Sequence, residues 1–392
     1  MATVVSGVQY SGIWTMQQVN AAIAAGTWPV GSPQYLYSWG RGGSGQLGLS
    51  SYANVSSPNQ VGSLGTWAQI NAMGSSSLSI KRDGTLWSWG NNSKGQLGLG
   101  NITSYSSPKQ IGALTNWSKL GGGGRSSLAI KTDGTLWAWG YNNYGQLGLG
   151  DITDRSSPVQ VGSLTTWLSV ACSYGSSFAV KTDGTLWSWG QGTFGQLGLG
   201  NTTYYSSPKQ IGALTTWAKV CPCAYNESCF AIKADGTLWA WGNGLLGSLG
   251  LGNVTSYSSP KQIGALTNWS STSFASLGYG GLGIKTDGTM WSWGYNYQGV
   301  LGLNNTTNYS SPKQVGALTT WSKVSKTPGY TYSAWAIQSD GTLWGWGDNS
   351  FGQLGLGIAG GAAIWKSPNQ VGSSTTWMDI AGGQFALAIK ST

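Results

Sequence analysis

Any reaction run by this chain has to be assembled from few groups, because its 392 residues include no His and only 11 acids. Without imidazole, a general base working near neutral pH falls to a carboxylate or a lysine. Six of the acids, Asp83, Asp133, Asp183, Asp235, Asp287 and Asp340, each precede a Gly in one recurring pattern. That leaves Asp151, Asp154, Glu227, Asp348 and Asp379 for acid–base work. Ser and Lys are plentiful but occupy fixed slots of the same pattern. Gly-rich runs such as Gly145-Gln146-Leu147-Gly148-Leu149-Gly150 recur as well and open no helical pattern, which removes a phosphate-loop reading. Cys172, Cys221, Cys223 and Cys229 fall in two neighbouring repeats. Cys221-Pro222-Cys223 lacks a zinc spacing. Reduced, partly buried thiols are expected, with a local Cys223–Cys229 bridge as the alternative. The expectation is a non-enzymatic protein with no catalytic residue, no metal site and no cofactor.

Recognition chemistry has better material. Three residues before the Pro of a repeated Ser-Pro stand Val55, Tyr105, Arg155, Tyr205, Tyr257, Tyr309 and Trp365. Such rings either cover the preceding Gly-rich loop or form a circle of stacking platforms for sugars or bases. Arg155 and the net charge of +9 would favour an acidic polymer. The Asn-x-Thr triplets at Asn101, Asn201, Asn253 and Asn305 match glycosylation acceptors, but local bonding of Asn and Thr to the loop backbone is the expected use. Lys81, Lys131, Lys181, Lys233 and Lys285 precede the Asp-Gly pairs and read as a solvated β surface, with attraction to a polyanion as the alternative.

These groups are carried by a repeat. Apolar residues alternate on both sides of Asp-Gly in Lys131-Thr132-Asp133-Gly134-Thr135-Leu136-Trp137-Ala138-Trp139-Gly140, a β-hairpin signal in which both turn residues are expected at positive φ. Trp-Gly pairs close the pattern at Trp39, Trp89, Trp139, Trp189, Trp241, Trp293 and Trp346, with steps from 50 residues (39 to 89) to 53 (293 to 346). A period of that size indicates a solenoid or a propeller. Gly-Gln-Leu-Gly-Leu follows in five units, while Gly247-Ser248-Leu249-Gly250-Leu251 and Gly299-Val300-Leu301-Gly302-Leu303 depart from it. Ser-Pro and a short strand come next, then a strand bearing one Trp. Four short antiparallel strands per unit cannot bury both faces of a lone sheet, so the units must pack radially. The two Trp of Leu-Trp-x-Trp-Gly share one side of their strand and should fill the space between blades.

Seven Trp-Gly pairs against six Asp-Gly turns show how the array closes. The chain enters at Tyr35 with the outgoing half of a hairpin and ends at Phe385-Ala386-Leu387-Ala388-Ile389-Lys390 with the incoming half. The fold expected is an all-β, seven-bladed propeller over residues 32–392, closed by pairing of its N- and C-terminal strands, with a short helical arm at residues 1–31. In the arm Thr15 and Gln18 form a capping box, and Trp14 and Val19 stand at the staple positions. So short a helix needs a surface to dock on, which makes Trp14, Val19 and Trp28 anchor candidates. No signal peptide and no membrane-inserting span are visible.

Asp-Gly-Thr-Leu-Trp-x-Trp-Gly, Gly-Gln-Leu-Gly-Leu-Gly and Ser-Pro together resemble the repeat of the regulator of chromosome condensation family, over roughly residues 35–392. The resemblance implies a seven-bladed propeller whose termini share a blade. The founding member's nucleotide exchange and chromatin binding carry over poorly: the family's usual His is replaced by Ser77, Ser127, Ser177 and Cys229, no wedge hairpin interrupts the repeat, and no basic tail precedes it. Nucleic acid is therefore not an expected partner. Ser11-Gly12-Ile13-Trp14-Thr15-Met16-Gln17-Gln18 and Ala25-Gly26-Thr27-Trp28-Pro29 resemble a module of structural proteins of marine tailed bacteriophages. That resemblance implies a virion protein, held to other virion proteins by its arm, whose propeller decorates the particle or binds a host-surface glycan or acidic polymer. A bacterial protein–protein interaction scaffold is the alternative, in the bacterial cytoplasm or on the surface.

Overall fold

At Lys131–Leu136 the hairpin turn is three residues long rather than two. Gly134 N donates to Lys131 O at 3.0 Å, and Lys131 N to Thr135 O at 3.0 Å. Only Gly134 is left-handed, with φ +78°. The expected pair of left-handed residues is thus corrected to a right-handed turn followed by one left-handed Gly. Asp133 contributes through its side chain, whose Oδ1 accepts from the Thr135 amide at 2.9 Å and the Thr135 hydroxyl at 2.6 Å. The same pair of bonds returns at Asp83, Asp183, Asp235, Asp287 and Asp340.

The computed structural model describes residues 32–223, 227–325, 332–358 and 364–392. The arm at residues 1–31, with Trp14, Val19 and Trp28, lies outside them. The chain divides into Met1–Pro33 and Gln34–Thr392. The second of these units forms seven four-stranded antiparallel sheets. Taking the second blade as the pattern, the strands from axis to rim are Trp117–Gly123, Ser126–Lys131, Leu136–Gly140 and Arg155–Gln160, in hydrogen-bonded order. The described residues contain no α-helix, only 3-10 turns at Leu245–Gly247 and Tyr297–Gly299.

Closure takes the form expected. Gln34–Gly40 pairs along its whole length with Phe385–Ser391, from Gln34↔Ser391 to Gly40↔Phe385. The seventh sheet therefore takes its two inner strands from the end of the chain and its two outer strands from the beginning.

Three expectations about side chains need correcting. The Ser-Pro strand does not start after its Pro: Tyr105–Gln110 includes Pro108 and is the outermost strand, where a missing N–H costs no ladder bond. Its register jumps between the Ser88 and Gly90 pairings, which absorbs Ser106, Ser107 and Pro108. The two Trp of Leu-Trp-x-Trp-Gly differ. Trp139 is fully buried against the preceding blade, while Trp137 is half-buried at the surface. Both meet Trp117, at 6.2 and 6.1 Å between ring centroids. Finally, Lys81, Lys131, Lys181 and Lys285 are buried and Lys233 half-buried, not solvated as expected. Lys131 is 8% exposed, with Nζ 3.6 Å from the Trp137 ring centroid and 5.1 Å from that of Trp117. Burial lowers its pKa from the ordinary value, against a smaller opposing pull from Asp133.

One latch joins each blade to the next. Trp139 Nε1 donates to Gln96 O at 3.0 Å, and Ser127 Oγ donates to the same oxygen at 2.9 Å. A Cβ on Gly98 would sit 2.7 Å from Trp139 Nε1, so the Gly-Gln-Leu-Gly loop can lie on the indole only without one. Only the carbonyl is needed at the Gln slot, which is why Ser248 and Val300 serve there, accepting from Trp293 and Trp346. Gln353 O accepts from Trp39 Nε1 at 2.8 Å and extends the latch across the closure. Ser77, Ser127 and Ser177, which stand where the resembled family has His, all serve this latch.

Candidate functional site

The rim slots share one structural position. Tyr105, Tyr205, Tyr257, Tyr309, Arg155 and Trp365 each begin an outermost strand, as does Val55, and all are half-buried. Every Tyr of the set is engaged on two sides. The Tyr205 hydroxyl accepts from Asn201 Nδ2 at 3.2 Å, and Lys209 Nζ lies 5.6 Å from the ring centroid. Tyr105, Tyr257 and Tyr309 repeat both contacts. Arg155 replaces them with an ion pair to Asp151 at 2.6 Å. The slots stand one per blade and do not converge on one ligand-sized site. The Asn-x-Thr triplets bond locally: Asn101 Oδ1 accepts from the Thr103 amide at 2.9 Å, and Asn201, Asn253 and Asn305 do likewise.

The remaining acids are dispersed. Asp151 pairs with Arg155, and Asp154 meets Lys94 at 3.5 Å while accepting from the Asn142 amide. Asp348 accepts from Ser350 and from Gln353 Nε2, and Asp379 lies on an innermost strand. Burial raises Glu227 above its ordinary value. All four cysteines are free. Burial pushes Cys172 up to about 12 and Cys223 up to about 11. Innermost strands surround an axial cavity of about 270 Å³, onto which Asn71, Lys219 and Cys221 open.

Two clusters that reading along the chain does not reveal stand at the loop end of the disc. In the first, Tyr141 meets Tyr144 at 5.9 Å and Tyr174 at 6.2 Å, and Tyr144 meets Tyr204 at 6.0 Å. In the second, Tyr295 lies 5.8 Å from Tyr279, 5.9 Å from Tyr297 and 6.0 Å from Tyr332. Each cluster bridges two blades, the second and third in one case and the fifth and sixth in the other. Tyr204 is 45% exposed and Tyr297 52%. Burial, reinforced by Tyr144 and Tyr174, holds the Tyr141 phenol above its ordinary value. One signal was available in the sequence. The residue after each Trp-Gly reads Arg41, Asn91, Tyr141, Gln191, Asn243, Tyr295 and Asp348, a slot in which two aromatics stand out.

Comparison with known proteins places the repeat and the fold. The regulator of chromosome condensation (RCC1) repeat matches residues 35–79, 83–130, 133–180, 183–226, 235–280, 287–327 and 340–389. Human WBSCR16 is similar in structure with a TM-score of 0.79 at 21% identity, covering 92% of this chain and 99% of that one. Prp20p of Saccharomyces cerevisiae also gives 0.79, at 20% identity and 92% of each chain. Identities this low speak to the fold. The ultraviolet-B receptor UVR8 of Arabidopsis thaliana is 33% identical over 132 residues, which is 33% of this chain and 30% of the receptor. The matched stretch thus spans under a third of that relative's length.

Proposed function

The chain belongs to the regulator of chromosome condensation (RCC1) repeat family, and from that premise we propose that it is a non-enzymatic binding platform whose loop end carries the recognition surface. One observation carries the reading: the seven repeats differ mainly at that end. In sequence the stretch from the inner-strand Trp into the second strand lengthens from Trp167–Ser177 to Trp217–Cys229, Trp269–Gly281 and Trp321–Ala334, and the turn residues Arg125, Tyr174 and Gln384 differ in charge and size. Variation gathered on one face of a repeat array marks the face that meets partners. The structure of Prp20p is described together with its binding to Gsp1p and histones, which makes recognition a use this fold supports.

The finer reading is display on a bacteriophage virion, with residues 1–31 as the anchor to other virion proteins and a host-surface glycan or acidic polymer as the target. Its support is the resemblance of Ser11–Gln18 and Ala25–Pro29 to a module of phage structural proteins. An interaction scaffold inside a bacterium is the second reading, favoured by the family alone.

Two experiments test these readings. Particles assembled from a genome encoding this chain should label with an antibody to it, and particles without label overturn virion display. Binding of the full chain to bacterial envelopes should fall when Arg125→Asp and Gln384→Asp alter the loop end. Thr132→Asp and Thr182→Asp, at the Asp-Gly end, should leave it unchanged. The reverse pattern, or no binding at all, overturns the platform reading.

A further inference from the structure

We propose that the two tyrosine clusters are binding sites for the sugar rings of a polysaccharide. The inference rests on the platform reading and supplies its ligand class and its residues.

The clusters are built, not incidental. A Cβ on Gly124 would lie 2.7 Å from Tyr174 Cδ2, and one on Gly175 would lie 2.3 Å from Gln191 Oε1 and 3.1 Å from Tyr144 Cδ2. The backbone is Gly where Tyr174 and the Gln191 side chain beside the rings pack on it. Tyr141 and Tyr144 meet edge to face at 86°, as do Tyr144 and Tyr204 at 76°, which fixes each ring against its neighbour. Preset rings lose little conformational entropy when a ligand arrives. A sugar ring pairs two kinds of surface: an apolar C–H face for an aromatic ring and a polar edge for hydrogen bonding. The first cluster supplies both, since Thr193 Oγ1 and the Tyr204 hydroxyl lie 2.5 Å apart and Gln191 Nε2 donates to Thr193 at 3.2 Å. The second repeats the apolar part, with Tyr297 and Tyr332 at 5.2 Å and 74°.

Charge argues against single-stranded nucleic acid, which would also stack on such rings. Lys94, whose Nζ is 5.3 Å from the Tyr141 centroid, is paired with Asp154, and Arg155 is paired with Asp151. Beside the second cluster stands Asp348, whose amide donates to Tyr332 O at 2.8 Å. Lys94 and Arg155 are thus committed to carboxylates and not to a phosphate chain, whereas sugar hydroxyls need no countercharge. Arg125, exposed in the turn next to Tyr141, gives the first site one cation for an acidic substituent. Two like sites three blades apart on one disc suit a repeating polymer better than a folded partner. Linking two weak sites through one polymer raises avidity by about 10²–10⁴-fold.

The test uses the full chain with dextran, alginate and oligo-dT as probes in affinity electrophoresis. Retention by dextran or alginate is expected. Tyr204→Ala and Tyr297→Ala, each alone, should weaken it at least about tenfold through lost avidity, and together they should abolish it, with melting unchanged. Should a variant melt early, nitration of the unaltered chain decides: bound polymer should protect Tyr204 and Tyr297, and unchanged nitration overturns the proposal. Retention by oligo-dT alone overturns it in favour of nucleic acid. Loss of polysaccharide binding with envelope binding still sensitive to Arg125→Asp overturns this inference and leaves the platform reading standing. Loss of both overturns both.

Discussion

The two ends of each blade are made by the same strands but obey different rules. At the Asp-Gly end, six turns repeat one set of hydrogen bonds, in which an Asp exposed at the surface accepts from the Thr beneath it. At the loop end the fixed residues lie underneath. Gln46, Leu47 and Trp89 are buried at 1% exposure or less, while Arg41, Asn91 or Tyr141 can stand in the slot above the same latch. A turn that consumes its exposed Asp cannot vary it. A loop whose framework is carried by a buried carbonyl and an indole is free to. Recognition belongs at the end where the scaffold does not need the surface.

The comparison breaks first if closure is removed. Deleting Phe385–Ser391 takes the whole partner of Gln34–Gly40 and opens two sheet edges. The expected outcome is loss of the cooperative melting transition or association of the opened rings, seen by calorimetry and sedimentation. A monomer with unchanged melting would contradict the shared blade. Next in size is the latch. Trp139→Ala removes a fully buried indole and should cost about 3–5 kcal/mol in denaturant unfolding. Trp137→Ala, at the half-buried partner, should cost about 1–2 kcal/mol. Equal costs would erase the distinction between framework and surface Trp.

Much of this is legible in the sequence. The period sets the blade, and the count of Trp-Gly against Asp-Gly sets the closure, because both report backbone conformations that few residues can adopt. The turn type is not legible, since Asp133 acts through its carboxylate and not by accepting a left-handed φ. Nor are the buried lysines: alternation places Lys131 on a face, but the Trp117 ring that covers it arrives from the neighbouring strand of the sheet. The tyrosine clusters stay hidden for a similar reason. Tyr141 and Tyr174 come from different blades, and the stretches running from the inner-strand Trp to Tyr279 and Tyr332 are longer in sequence than the one reaching Tyr174. No spacing within one repeat records a contact between two.

Smaller effects sharpen the contrast. Hydrogen bonds from Thr135 hold Asp133 below its ordinary value of 3.8, and Asp183, Asp235 and Asp287 follow the same pattern. A carboxylate lowered in the folded state stabilises above its unfolded value and loses that contribution as pH falls through the folded one. The melting temperature should therefore drop from about pH 5 toward pH 2, and less steeply once Thr135, Thr185 and Thr237 are changed to Val. An unaltered acid limb would detach the turns from stability. The smallest effect concerns thiols. Burial raises the pKa of all four, and Cys221 alone among them is partly exposed, on the axial cavity. Cys221 should react first with a thiol reagent on the folded chain, and the other three only on unfolding. Prompt reaction at all four would show inner strands that open locally.

The division of labour between the ends is tested most directly by hydrogen exchange on the full chain with and without bacterial envelope polysaccharide. Added protection is expected at amides around Tyr141, Tyr144, Tyr174, Tyr204, Tyr295 and Tyr297, with the Asp-Gly turns unchanged. Protection gathered at Asp133, Asp183 and Asp287 instead would contradict the account.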